Sequence, residues 1–445
     1  MFNISQWQFL KRGFEHGVHP DHLKEQTVNL PVQRVPFVSH YVMPLGQHLG
    51  VPSVPVVQPG QIVQRGELIA EAGGFVSSTL HSPVTGKITG IGEHRQADGR
   101  FVRAIEIEAD AFDTQQLTSG SPIDWQAMTM DEFIASIQQA GIVGMGGAAF
   151  PSHVKFSIPE GQKIDYLLVN GAECEPYLTN DHRLMLERPD DLLAGAEILR
   201  RKLGAIETVI GIEMNKPDAI ALMKAHIRED QRVRIVPLKV KYPQGAEKMI
   251  IKTIFNREVP AGQLPRDVGV NVNNVSTVVA MADWFERRVP LIERVVTVSG
   301  SGVSYPANLM VPLGTPVREL LRFCGGLKPE THEVIMGGPM MGRAVASLDA
   351  PIVKGSSGIL AFTESEIIRK KEYPCIRCGR CVEACPYFLN PARLARLSRA
   401  RMYEETKKYS VMDCVECGCC TYACPSGIPI VQLIKTAKDD IRGRK

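Results

Sequence analysis

Nine of the eleven cysteines fall between Cys375 and Cys424, in two runs of the same spacing. The first is Cys375-x2-Cys378-x2-Cys381-x3-Cys385-Pro386; the second is Cys414-x2-Cys417-x2-Cys420-x3-Cys424-Pro425. Three thiolates so close together can each take one iron of a four-iron, four-sulfide cube, while the fourth must arrive from another direction. In two-cluster runs of this kind it comes from the other run. The pattern predicts one [4Fe-4S] cluster on Cys375, Cys378, Cys381 and Cys424, and a second on Cys414, Cys417, Cys420 and Cys385. Cys419 is left over. A disulfide framework would need an oxidising compartment, and two zinc sites would leave both x3-Cys-Pro ends without a reason.

A second chemical candidate lies upstream. Gly144-Met145-Gly146-Gly147-Ala148-Ala149 satisfies G-x-G-x-x-A, a pattern that needs a strand before it and a helix after it to act as a dinucleotide fingerprint. What precedes it, residues 131–140, reads instead as a helix capped near Thr129, and Phe150-Pro151-Ser152-His153-Val154-Lys155 follows, so the ordinary fingerprint is disfavoured. Bare glycine backbone can still approach a phosphate or a flat ring, and Lys155 can add a positive charge. Next, a short apolar strand at residues 166–169 empties into Asn170-Gly171-Ala172-Glu173-Cys174-Glu175-Pro176-Tyr177. Ligands collect at such strand ends in open α/β sheets.

The elements that would position these groups alternate: a helix at 191–203, a strand at 208–213, a helix at 217–227 and a strand at 233–238. That order predicts a doubly wound layer. Two polar islands follow, Tyr242-Pro243-Gln244-Gly245-Ala246-Glu247-Lys248 and Asn271-Val272-Asn273-Asn274-Val275. Each alone is more often structural than functional. Between the cysteine runs, PARLARLSRARMYEETKKY has helical periodicity, with Leu394, Leu397 and Tyr403 on one face.

Taken together and in this order, GMGGAAFPSHVK, VNGAECEP, YPQGAE and VNNV resemble the flavin- and NADH-binding domain shared by the NADH-oxidising subunit of respiratory complex I and the C subunits of Rnf-type electron transport complexes. GGAAFPSHVK, ECEPYLTNDHRLM and the cysteine runs are closest to the Rnf C-subunit family, and the likeness covers nearly the whole chain. The resemblance implies that Gly144, Gly146, Lys155, Asn170, Glu173, Gly245, Ala246, Asn273 and Asn274 line an FMN site. It also implies that Gly147, Phe150, Glu175, Tyr242 and Glu247 approach NAD(H). Ala172 and Ala246 stand where the complex I pattern has carboxylates, so some flavin hydrogen bonds must differ. The C-terminal region resembles an α-helical ferredoxin with an inserted helix pair.

Flanking modules complete the organisation. VVQPGQIVQRGELIA followed by HSPVTGKI resembles a barrel-sandwich of the lipoyl or biotinyl kind, but the stretch GGFVSSTL between its halves has no lysine to modify, which points to a structural or docking module. From Arg294 to Ala350, strands alternate with glycine turns, including Gly337-Gly338-Pro339-Met340-Met341-Gly342, similar to a soluble-ligand-binding β-grasp domain. The expected units are a barrel-sandwich at 1–120, a Rossmann-like FMN/NADH unit at 121–288, a β-grasp unit at 289–360 and a ferredoxin-like unit at 361–445.

Composition excludes several classes. Hydrophobic residues are 44% and charged residues 22%, and 51 Lys plus Arg against 48 Asp plus Glu leave +3, too small a surplus to argue for nucleic acid. Basic residues do outnumber acidic ones from Arg369 to Lys445, a surplus that either offsets the negative charge of thiolate-bound clusters or faces an acidic partner or anionic lipid. The longest uncharged stretch, residues 295–317, is broken by glycines and prolines, so no membrane span is expected. MFNISQWQFLKRGFEHGVHP lacks the apolar core of a signal peptide, which points to a cytoplasmic location. His16, His19 and His22 are read as surface or packing residues, Cys174 and Cys324 as small buried ones, and no catalytic triad is expected.

The resulting expectation is an oxidoreductase subunit that relays electrons between NAD(H), FMN and two [4Fe-4S] clusters. It would sit peripherally on the cytoplasmic face of the bacterial inner membrane, with integral subunits of an Rnf complex moving the ion. A ferredoxin-like iron-sulfur subunit, and through it ferredoxin, would be the further partners. Two alternatives stand beside it: a cobalamin-reductase flavoprotein of a metabolic microcompartment, against which the N-terminal 110 or so residues argue, and a non-catalytic electron-wire or assembly subunit.

Overall fold

The computed structural model describes residues 13–117, 120–367 and 370–443. The first twelve residues of the leader reading, and Arg369, Arg444 and Lys445 of the basic segment, lie outside the described residues. The N-terminal unit folds into two small antiparallel sheets, one ordered His40–Pro44, Phe101–Ala109, Gly86–Arg95, Ile62–Val63 and the other Val54–Pro55, Leu68–Glu71, Leu80–His81. Ile69, Leu80, Ile88 and Ile105 belong to one core and have no exposed surface.

The flavin-type unit is a parallel sheet ordered Val233–Leu238, Glu207–Glu213, Tyr166–Gly171, Val270–Asn274. Leu167, Leu168 and Val169 are all buried, because helices cover both faces of a parallel sheet. The chain leaves Tyr166–Gly171 toward one side and returns on the other, so the crevice of the topological switch opens between the ends of Tyr166–Gly171 and Val270–Asn274. Helices Pro189–Leu203 and Val275–Arg287 pack against each other so closely that a Cβ at Gly195 would meet Val278 O at 2.1 Å.

The expected alternation is present: helix Met130–Gln139 carries a full capping box at Thr129, and the strands and helices from 166 to 238 follow the sequence reading. Three helices go beyond it. Asn180–Glu187 lies in what reads as a loop, and Glu247–Phe255 and Val275–Arg287 begin at the two polar islands, which are their N-terminal caps. The glycine loop differs in part: a short helix, Ser152–Phe156, does follow it, while only the isolated bridge Val143–Pro151 stands where a preceding strand would be.

The β-grasp region is a six-stranded mixed sheet in which Val32–Arg34 pairs in parallel with Ala307–Pro312, and Gly358–Thr363 runs across position 360. Lys354 crosses the joints: its buried Nζ donates to Ser78 Oγ at 3.1 Å, Thr79 O at 2.7 Å and Gly141 O at 2.6 Å. All three ammonium protons are thereby satisfied, although burial pushes this lysine down to about 7. In the C-terminal unit, helices Pro391–Arg399 and Tyr403–Thr406 form the inserted pair, broken at Arg401 by a left-handed residue (φ +55°). Leu394, Val411 and Ile434 pack with Cys420 and Cys424 in its core.

Candidate functional site

The glycine loop is pinned from behind and bare in front. Met145 N donates to Thr277 Oγ1 at 2.9 Å, Thr277 Oγ1 to Val143 O at 3.2 Å, and Gly144 N to Phe150 O at 2.8 Å. Buried Arg294 supports Met145 O from the β-grasp strand. Gly146, Gly147 and Ala148 are exposed; a Cβ at Gly146 would press on Asn274 at 3.0 Å, and one at Gly147 would point into open space. This bare backbone therefore faces the N-terminus of the 13-residue helix Val275–Arg287, capped by Asn274 Oδ1 on Ser276 N at 2.8 Å. Such an end attracts anions.

Lys155 stands beside it, paired with Glu247 and donating to Val272 O at 3.1 Å. Asn271 Nδ2 holds Lys155 O at 2.8 Å, and Asn273 donates to Asn271 at 2.7 Å. Across the crevice, Asn170 Nδ2 donates to Gly245 O at 2.8 Å, and Gly245 N donates to Cys174 Sγ at 3.3 Å. A Cβ at Gly245 would meet Ala172 O at 2.6 Å, so Ala172, Gly245 and Ala246 form one tight wall. The structure thus brings Gly144, Gly146, Lys155, Asn274 and Glu247 to one mouth and Asn170 and Gly245 to its facing wall. Phe150 is half-buried beside the loop.

The two loop carboxylates are already engaged by protein donors. Glu173 Oε1 accepts from Asp181 N at 2.8 Å, and Lys24 Nζ lies 3.6 Å from Oε2 while donating to Glu173 O at 2.8 Å. Burial pushes Glu173 up to about 7 against the pull of Lys24. Asp181 continues the chain, accepting from Asn274 Nδ2 at 2.6 Å and Ser276 Oγ at 2.8 Å. Glu175 accepts from Met340 N and Met341 N, each at 3.0 Å, and a Cβ at Gly338 would meet its Oε2 at 2.3 Å. Here burial is again the largest cause, pushing Glu175 up to about 7. Sequence reasoning missed Lys24, Asp181, Thr277 and Arg294; the first two lie in the segments GVHPDHLKEQT and ECEPYLTNDHRLM, and nothing local marked the others.

Tyr242, 1% exposed, leads from this pocket to the cysteines: its Oη donates to Cys417 O at 2.8 Å. The thiols sort into two neighbourhoods. Burial raises Cys414 to about 11 and raises Cys420 and Cys385. Thiols of that same set, Cys417 among them, then add to the rise of each. Cys381 is raised by burial and then by Cys424 and Cys375. Among the described residues no three His, Cys, Asp or Glu side chains converge on a single metal-ion position; a cube takes one thiolate at each of four separate irons. Cys419 is fully buried against Tyr242 O. Cys324 is buried and Cys174 half-buried. The His16 ring bonds Glu383 O, and His22 O accepts from Tyr177 N. No described helix is long and apolar enough to cross a membrane.

The donor set fits the two groups the motifs imply. Bare loop amides, a helix N-terminus, Lys155 and three asparagines suit a phosphate-bearing flat ring, and two sets of clustered thiols suit two cubes.

Comparison with known proteins agrees along the chain. Residues 12–112 match the RnfC barrel sandwich hybrid domain, 137–283 the Nuo51 FMN-binding domain, 295–344 the SLBB domain and 374–428 a 4Fe-4S dicluster domain. The chain is 46% identical over 97% of its length to the C subunit of the proton-translocating ferredoxin:NAD(+) oxidoreductase complex of Clostridium ljungdahlii, covering 94% of that protein. It is 39% identical over 96% to the C subunit of the Na(+)-translocating ferredoxin:NAD(+) oxidoreductase complex of Acetobacterium woodii, covering 97%. To the C subunit of the ion-translocating oxidoreductase complex of Rhodobacter capsulatus it is 41% identical over 96%, covering 83%. With an FMN-binding domain and a dicluster domain behind a barrel-sandwich of the matching type, the chain belongs to the RnfC family of ion-translocating oxidoreductase subunits.

Proposed function

We propose that this chain relays electrons between NAD(H) and two [4Fe-4S] clusters through FMN, as the peripheral subunit of an ion-translocating complex on the cytoplasmic face of the membrane. One observation carries the reading. The loop Tyr242 to Glu247 belongs to both halves: Gly245 and Glu247 stand at the pocket, and Tyr242 bonds the backbone of Cys417.

When bound, FMN would supply the step between a two-electron hydride donor and one-electron acceptors. The protein's part is positional. The exposed loop amides of Gly146, Gly147 and Ala148, in the turn that Gly144 opens, with the helix end at Asn274, Lys155 and Asn273, would hold the phosphate end, and Asn170, Gly245 and Ala246 the ring. Glu173 would act through Asp181 and Asn274 on the loop. Phe150, Gly147 and Glu247 stand on the open side, where NAD(H) would enter, and Glu175 and Tyr242 brace the joint to the clusters.

The thiol neighbourhoods support the crossed ligand sets: Cys414, Cys417, Cys420 and Cys385 would hold the cluster beside Tyr242, and Cys375, Cys381 and Cys424, with Cys378 from the run spacing, the outer one. Cys375 and Cys378 are exposed, so the outer cluster would meet the ferredoxin-like iron-sulfur subunit, with the ion path in the integral subunits. The relatives' names support these partners, and no feature calls for nucleic acid.

Anaerobic reconstitution should give about eight irons and bound FMN, and a fully folded preparation with neither ends the proposal. Glu247→Ala should slow the bleaching of flavin by NADH; an unchanged rate removes that residue from the site.

A further inference from the structure

The relay needs a fixed gap between the flavin pocket and the nearer cluster, and the packed joint described above meets that cluster on its Cys417 side. Tyr242 meets Cys417, and Met340 O lies where a Cβ at Gly418 would reach it at 2.8 Å. The fourth ligand, Cys385, sits on a different turn, after helix Arg380–Glu383. Glu247 of the flavin unit lies near Tyr387 on that turn, and hydrogen bonds to Glu383 O and Ala384 O come from the far end of the sequence.

Residues 13–28 run across the flavin unit before the chain enters strand Val32–Arg34. Val18 exchanges two backbone hydrogen bonds with Tyr242, each 2.9 Å. Lys241 Nζ donates to Phe14 O at 3.0 Å and lies 4.6 Å over the Phe14 ring. Tyr177 N donates to His22 O at 2.9 Å, and Lys24 bonds the carbonyls of Glu173 and Leu178. These contacts tie the segment to the flavin unit. Its opposite edge is tied to the cluster unit: Gly17 N donates to Ala384 O at 3.2 Å, the residue before Cys385. The His16 ring bonds Glu383 O and packs edge-on against Phe388 at 4.8 Å. Gly17 has φ +81°, and a Cβ there would meet Tyr242 O at 2.6 Å, so only glycine lets the segment touch both partners at once.

We propose that residues 13–24 form a strap that clamps the Cys385 side of the nearer cluster to the flavin unit, with His16 and Gly17 as positioning residues for electron transfer between them. The inference rests on the relay reading. Each NADH oxidised to NAD+ releases a proton and two electrons, one for each cluster. The strap acts through its backbone and ring contacts on the two sides of the gap, and so sets the separation the electrons cross.

The test uses the full chain reconstituted anaerobically with iron, sulfide and FMN, and two variants. His16→Gly deletes the ring while tolerating the left-handed backbone at φ +63°; Gly17→Val forces the strap off Tyr242. Both should keep iron, FMN and the rate at which NADH bleaches the flavin. Cluster bleaching should slow several-fold, and the amides of Gly17 and Val18 should exchange hydrogen faster. Wild-type cluster bleaching in variants whose amides exchange faster overturns the proposal, as do unchanged exchange rates in both. Should Gly17→Val lose iron, His16→Gly decides. Wild-type protein whose flavin bleaches while its clusters stay oxidised defeats the relay itself, and the strap's role with it.

Discussion

The two cysteine runs are copies in backbone and opposites in setting. Arg377 (φ +57°) and Glu416 (φ +61°) are left-handed between the first two thiols of each run; Gly379 (φ +81°) and Gly418 (φ +82°) follow the second thiol. Four-residue helices come next, Arg380–Glu383 and Cys419–Tyr422, and after each Cys-Pro pair a further left-handed residue, Phe388 or Gly427, turns the chain away. Yet residues 371–380 are exposed throughout, whereas Gly418 and Cys419 are buried against Met340 and Tyr242. Local spacing fixes how a run wraps its irons. In the relay proposed above, what the wrapped run packs against sets its place.

That contrast can be broken most severely at the thiols. Cys378→Ser and Cys417→Ser should each reduce the iron content from about eight toward about four. Only Cys417→Ser should also stop NADH from reducing the cluster that remains; equal reduction in the two variants would erase the distinction between inner and outer.

A subtler probe places the same residue at the matched glycines. Gly379→Val and Gly418→Val share a left-handed strain of about 1–2 kcal/mol, but a Cβ at Gly379 meets nothing within 4 Å while one at Gly418 meets Met340 O at 2.8 Å. Thermal unfolding should show the larger loss at Gly418, and equal losses would mean that the packed joint contributes nothing.

The smallest effect concerns charge. Buried Lys438 donates to Cys414 O at 2.6 Å and pairs with Glu416 at 2.5 Å. Lys438→Met removes a positive charge beside the inner cluster and should make that cluster harder to reduce while the outer one keeps its potential, as read by a redox titration followed by electron paramagnetic resonance.

What the sequence made legible was local. Cysteine spacing is a property of eleven residues, and the alternation from 166 to 238 carries its own apolar runs and helix starts. The two polar islands did not announce the helices that begin at them, because residues such as Asn274, here a helix cap, serve loops equally well. Engagement of Glu173 by Lys24 spans 149 positions, and that of Glu175 by Met340 spans 165; neither leaves a periodicity to read. The strap was hidden for the same reason. Most of its partners are backbone groups that any sequence could supply.

The order of the two cubes is the claim on which the account stands. Protein holding FMN and both clusters can be mixed with NADH and frozen at successive times, and the two cluster signals told apart by which one each cysteine variant lacks. The inner signal, lost in Cys417→Ser, should rise first or together with the outer one. An outer signal that rises ahead of it, or rises unimpaired in Cys417→Ser, would contradict the relay drawn from this structure.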